Sequence, residues 1–434
     1  MPSLLIKNGQ LVTEKGLERV DILIEDGLIK RLDPANKQTS KPENFSLDIE
    51  VIDATNLLIF PGLIDCHVHF REPGNTDAED MESGARAAIA GGITTVCDMP
   101  NTQPPTCTLK ALEDKIARAE EIRDQRSEVS NVDIRFFFGI TQREHLEELK
   151  RVKREDICGV KLYFANSTGN QKAGEIVEDV FKICAERGLP LVCHCEDEEV
   201  IQKNIEGSRR GVARYAPTDI RMHSAIRSVE AAVKATALAL ALARKYGTHL
   251  HIAHLSTKEE LELVRRAKSE GLPATCEVAP QHLFLTVEDY ASLGSLAKMN
   301  PPLRTRDHSE ALWKGIADGT VDCIATDHAP HTLAAKNVGN LLEAPSGVPG
   351  VETMLPLLLS KLQPSDILRL CFTKPNRIFA LGKPGIATGK PADLILVNPL
   401  AKWTIEGKKL HSKCRWTPYE GWNVQGKVER VVSG

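Results

Sequence analysis

Between residues 94 and 326, short apolar runs alternate with longer helical patterns, and this alternation constrains the fold more than any other feature. The runs are 94–99, 134–138, 159–164, 189–195, 249–255, 274–278 and 323–326. Between them, apolar residues recur at helical spacing over 109–126, 175–187, 228–246 and 258–271. A strand, a helix and a further strand place the two strands parallel in one sheet. Counting the run that ends near Val68, about eight such units fill roughly 310 residues, which suits a closed (β/α)8 barrel better than an open sheet. The two chain ends read differently. Residues 4–33 and 392–432 are short alternating strands, with Asp26-Gly27 as a hairpin turn. Both ends are therefore expected to build one small β-sandwich domain, from 1–55 and 376–434, beside a barrel over 56–375.

Composition bears on where such a barrel works. The chain has 434 residues and a formal net charge of -4, with no long basic run, which argues against a nucleic-acid partner. No apolar run is long enough to span a bilayer, and the first residues turn polar too early for a signal peptide. The chain has eleven cysteines, several of them inside apolar runs (Cys97, Cys193, Cys195, Cys323). They read as reduced, buried residues of a cytoplasmic protein rather than a disulfide framework. Cys193 and Cys195 flank His194, and strand alternation puts both on the opposite face from it, where they pack.

The polar residues of a barrel of this kind work at the C-terminal ends of its strands. The first strand ends in Pro61-Gly-Leu-Ile-Asp-Cys-His-Val-His-Phe-Arg-Glu-Pro-Gly74. His67, His69 and Arg71 fall at i, i+2 and i+4, on one face. Two imidazoles suit a borderline cation such as zinc, and the guanidinium suits a carboxylate ligand. An H-x-H alone reads equally well as a structural pair. Asn101, after the next strand, either presents an amide to a ligand or closes an Asx turn. Lys161 stands in the middle of an apolar strand. It either snorkels or pairs with a carboxylate, or it loses its charge on burial and reacts with carbon dioxide to give a bridging carbamate. His194 ends another strand. His251 and His254 lie on opposite faces of the next, so one of them points inward, and His254 is nearer the strand end. Asp327, with His328 and His331 behind it, leaves the last strand. Four strand ends converging with His, Lys or Asp imply a metal centre. The ligands are too many for one tetrahedral zinc and fit two ions. His67, His69 and Asp327 would hold one and His194 and His254 the other, with the Lys161 carbamate between them. Such a pair shares a hydroxide and polarises a carbonyl, while Asp327 moves the proton.

These residues sit in P-G-L-I-D-C-H-V-H-F-R-E-P-G, D-M-P-N-T, G-V-K-L-Y, C-H-C-E, H-I-A-H-L-S-T, E-V-A-P-Q-H-L, K-M-N-P-P-L-R, T-D-H-A-P-H-T and P-S-G-V-P-G-V-E-T-M-L-P. In that order, along nearly the whole chain, they resemble the dihydroorotases of the amidohydrolase superfamily. The resemblance implies reversible hydrolysis of dihydroorotate to N-carbamoyl-aspartate in pyrimidine biosynthesis. It implies two zinc ions bridged by carboxylated Lys161 and hydroxide, on His67, His69, Lys161, His194, His254 and Asp327. It assigns substrate contacts to Arg71, Asn101, Asn300 and His331. Ser346 and Gly347 follow by backbone contact, although Ser stands where one branch of the family has an aromatic. A homodimer and an association with aspartate transcarbamoylase are further implications. The competing readings are an allantoinase or a hydantoinase/dihydropyrimidinase with a similar metal site, or a non-catalytic scaffold homologue. Arg71 and His331 favour the substrate that carries a carboxylate. The polar, Gly- and Pro-containing stretch 332–349 has the composition of a lid.

Overall fold

The computed structural model describes residues 3–35, 49–125, 127–166, 173–209, 219–340 and 342–434. Its central element is an eight-stranded parallel sheet whose strands follow sequence order. They are Leu63–Val68, Ile93–Asp98, Asp133–Gly139, Gly159–Tyr163, Leu191–His194, Leu250–Ile252, Ala274–Val278 and Cys323–Ile324. The first and last strands meet through a parallel bridge from Val68 to His328 and through Thr326 N–H, which donates to Asp65 Oδ1 at 3.0 Å. This brings the sheet round into the expected barrel. Most of these strands are buried along their whole length, as parallel strands between a helical ring and a filled interior must be.

The helices begin and end where their caps dictate. Ser228 accepts from Ala231 N–H and Gly247 turns left-handed (φ 74°), bounding Val229–Tyr246. A Thr257/Glu260 capping box starts Lys258–Ser269. Several strands are shorter than the apolar runs that encode them. The run 249–255 yields only Leu250–Ile252, and the chain turns left-handed at His254 just beyond it. Arg71, His254 and Asp327 take φ of 58°, 36° and 48° just beyond their strands. Such conformations are strained for residues with a Cβ and persist where the surroundings over-determine them.

Both chain ends build a second sheet of seven strands. The first of its strands is long, Ser3–Thr13, and its ladder to Gly16–Glu25 shifts between Ile6 and Gly9. Asp26 and Gly27 both have positive φ (52° and 72°), the geometry of a type I′ hairpin turn. Leu58–Pro61 pairs with Ser3–Thr13 on one side and Asp393–Thr404 on the other, then runs through Gly62 into the first barrel strand. A Cβ at Gly62 would collide with Thr94 and Asp393, so this seam admits only glycine. Ile6, Ile22, Ile24, Ile59 and Leu394 form this sheet's own core. No described helix is long and apolar enough to cross a membrane.

One buried ion pair sets the exit of the first strand. Asp98 accepts from Phe70 N–H at 2.8 Å and pairs with Lys115 of the helix Leu109–Asp124, both side chains being almost fully buried. Removing one partner of a buried pair strands the other charge. Lys115→Met is expected to cost ~3–5 kcal/mol, read as a lower denaturant midpoint.

Candidate active site

The strand ends deliver their polar side chains into one cavity. His67, His69, Arg71, Asn101, Lys161, His194, His254, Asn300, Asp327, Ser346 and Gly347 all line it, together with Tyr163. The imidazole Nε2 atoms of His67 and His69 lie 3.4 and 3.0 Å from Asp327 Oδ1. His194 Nδ1 and His254 Nε2 are 3.0 Å apart. The His67 and His254 rings, 5.3 Å between centroids, connect the two groups. Lys161 Nζ is buried beside them without a hydrogen-bond partner, 5.2 Å from the centre of the Tyr163 ring.

The alternation rule for His251 and His254 needs correction. Only one of the two was expected to face inward, but the strand ends at Ile252 and the periodicity ends with it. His254 lines the cavity. His251 also faces the barrel interior, where it meets Phe379, Thr275 and Glu277.

A layer of acceptors behind the imidazoles fixes their tautomers. His67 Nδ1 is held by Glu277 Oε1, His69 Nδ1 by Asn101 Oδ1 at 2.6 Å, and His194 Nε2 by Glu196 Oε2 at 2.8 Å. Each ring donates outward, so the lone pair of its other nitrogen turns into the cavity, as in metal-ligating histidines. Burial opposes ionisation of Asp327, yet His67 and His69 hold its carboxyl well below the ordinary range. Burial lowers the Lys161 amine and brings His69 down to about 4. The donor set fits divalent cations. It comprises inward lone pairs, an ionised carboxylate and a lysine that burial drives toward its neutral form. The 3.0 Å His194–His254 separation is close to the ~3.3 Å edge of a tetrahedral zinc site.

The opposite wall is cationic. Arg71 donates from Nε to Pro330 O at 3.1 Å, and its terminal nitrogen is 3.2 Å from His331 Nε2. His331 Nε2 is also 3.0 Å from Ser346 O. Burial, then Arg71 and Lys336, push His331 down to about 2, so it is neutral. Arg71 is buried and has no ion-pair partner among the described residues. The stretch expected to resemble a lid is tied down here. Lys336 Nζ donates to the carbonyls of Lys298, Pro345 and Gly347, each at 3.0 Å, and Lys298 Nζ to that of Ala344 at 2.6 Å.

Sequence reasoning missed Glu277, Glu196, Tyr163 and the Arg227 that pairs with Glu196. Glu277 carried a usable signal, because it interrupts an apolar strand just as Lys161 does.

The Amidohydrolase family pattern matches residues 58–434. The chain belongs to this family. This amidohydrolase is 34% identical over 444 aligned residues to a dihydroorotase of Trichlorobacter lovleyi, covering 100% of this chain and 98% of that one. It is 39% identical over 370 residues to a dihydroorotase of Halobacterium salinarum, covering 84% and 82%. In shape it is similar to the L-hydantoinase (dihydropyrimidinase) of Arthrobacter aurescens, with a TM-score of 0.90, 26% identity and coverage of 100% and 95%.

Two further histidines hold the Asn300 wall. His223 and His282 donate from Nε2 to Met299 O and Pro301 O, each at 2.9 Å. Burial lowers them to about 3 and about 4. Because the unfolded histidine takes its proton first, near pH 6.5, their stabilisation is complete above that pH and is lost as the pH falls toward 4. Each adds ~1.4 kcal/mol per pH unit in that window. His282→Gln is expected to flatten the fall in unfolding free energy between pH 6.5 and 4.

Proposed function

We propose that this amidohydrolase is a dihydroorotase, opening the ring of dihydroorotate to N-carbamoyl-aspartate and closing it again in pyrimidine biosynthesis. The observation that carries this reading is Arg71. It is a buried guanidinium with no ion-pair partner among the described residues, and it lies in the same cavity as the histidine–lysine–aspartate group. A site of this kind calls for an anion. Dihydroorotate brings a carboxylate that hydantoin, dihydrouracil and allantoin lack.

His67, His69, Lys161 as its carbamate, His194, His254 and Asp327 would hold two zinc ions, which when bound supply an acidified water and a polarised amide carbonyl. The protein's own groups do the rest. Arg71, Asn101 and His331 hold the substrate carboxylate, Asn300 and the Ser346–Gly347 backbone close around the ring, and the scissile amide is thereby turned toward the histidines. Asp327 is kept ionised by its imidazole neighbours, so it accepts the proton of the attacking water and returns it to the departing ring nitrogen. Burial strengthens each of these contacts by excluding water. A cytoplasmic setting, a homodimer and an association with aspartate transcarbamoylase extend the same reading, on the resemblance to dihydroorotases.

The similarity in shape to a hydantoinase supports a second reading, a cyclic-amide hydrolase of uncharged rings. The two separate in one experiment. The zinc-loaded protein is expected to turn over dihydroorotate and to leave hydantoin, dihydrouracil and allantoin intact. Turnover of the uncharged rings with none of dihydroorotate would reject the proposal. Asp327→Asn is expected to stay folded by circular dichroism and to lose both directions of the reaction. A charge-assisted contact is worth ~1.5–3 kcal/mol, so Arg71→Met should lower kcat/KM for dihydroorotate by ~10–150-fold, mostly through KM.

A further inference from the structure

Beneath the cavity, four side chains from four strands meet in the barrel interior. They are Cys66, His251, Glu277 and Cys323, each at most 1% exposed. Cys66 Sγ lies 3.9 Å from Cys323 Sγ and 3.6 Å from Glu277 Oε2, and His251 Nε2 lies 3.1 Å from the same oxygen. Cys66, Glu277 and Cys323 bring ligand atoms within 4.8 Å of one another. Tetrahedral zinc with sulfur, nitrogen and oxygen donors separates its ligand atoms by ~3.3–3.8 Å.

The partners of these groups stay inside the barrel. Thr275 Oγ1 is within reach of Leu250 O at 3.3 Å and lies 2.8 Å from His251 Nδ1. With Thr275 donating to the carbonyl, it accepts from His251 Nδ1–H, and the other ring nitrogen is turned to the Glu277 carboxylate, the position a metal ion would share. Glu277 Oε1 is already taken by His67 Nδ1 and by His254 N–H at 3.2 Å, which leaves Oε2 for this cluster. The two thiols are weak donors and face each other.

We propose that Cys66, Cys323, His251 and Glu277 Oε2 form a third zinc site, distinct from the cavity ligands. Two thiolates, an imidazole and a carboxylate suit a borderline cation, and four protein ligands with no open position make the site structural. Binding releases the two thiol protons and forms two Zn–S bonds. The ion ties the first, sixth, seventh and eighth barrel strands together, and it fixes the carboxylate that orients His67.

X-ray absorption at the zinc edge on the full-length, zinc-loaded protein tests this directly, together with metal analysis. The cavity ligands are nitrogen and oxygen only, so sulfur reports the proposed site alone. The expected result is a Zn–S shell at ~2.3 Å and three zinc ions per chain. Cys66→Ala combined with Cys323→Ala should lose that shell and one equivalent of zinc. A wild-type spectrum without sulfur overturns the proposal, as does a sulfur shell that survives in the double variant. If the double variant does not fold, the wild-type spectrum decides alone. Failure of the dihydroorotase reading would show instead in the substrate panel, with the sulfur shell in place.

Discussion

A carboxylate in the middle of a barrel has to be satisfied by what surrounds it, and Glu277 organises its surroundings on that condition. Taking an ionised carboxylate out of water is costly unless hydrogen bonds replace the hydration. Burial alone would raise Glu277, but His67 and His251 hold it well below the ordinary carboxylate range. Its partners come from the first strand (Cys66, His67), from the sixth (His251) and from the turn after it (His254 N–H). One side chain thus fixes the rotation of a cavity histidine, the backbone at a second and the register among three strands. The left-handed turn at His254 is stabilised partly by this contact, which is how a strained backbone persists at a working position.

The fold was legible because hydrophobic periodicity and cap residues are local signals. Ser228, Thr257 and Gly247 mark helix ends in the sequence, and Asp26-Gly27 marks a hairpin. The candidate site was legible for a different reason. A lysine at 161 or a histidine at 194 is improbable inside an apolar run unless something needs it. Failures came mainly where the signal was not local. The His251/His254 rule assumed a strand that continued past Ile252. Glu277 interrupts its strand visibly, but its partner His67 lies far back along the chain and no spacing rule names such a partner. Glu196 stands only two residues from the His194 it holds, a local pairing the strand reading passed over. Composition also hides that Lys336, in the stretch 332–349, is buried among three carbonyls with Lys298 beside it.

Shape and chemistry bear differently on the substrate. A barrel of this outline is shared with an L-hydantoinase at a TM-score of 0.90, and a fold by itself leaves the substrate open. The discriminating feature is local and electrostatic. Arg71 is buried in this wall with Lys336 and Lys298 behind it, and burial holds Arg71 at about 10 while bringing Lys336 down to about 7. Arg71 therefore stays charged at neutral pH, and a ligand carboxylate entering this wall would meet a positive potential already in place.

Trp416 shows how late in the chain the pocket is finished. Its indole N–H donates to His331 O at 2.7 Å, and His331 in turn meets Arg71. A ribosome making this protein from its N-terminus would complete all eight barrel strands well before residue 416 emerged. The anion wall would then lack one of its supports, and Ser3–Thr13 and Leu58–Pro61 would still lack their partner Asp393–Thr404. The cavity therefore stays unfinished until residue 416 has been translated, and a product terminated before it would carry the histidines, Arg71 and His331 without the indole that braces the His331 backbone.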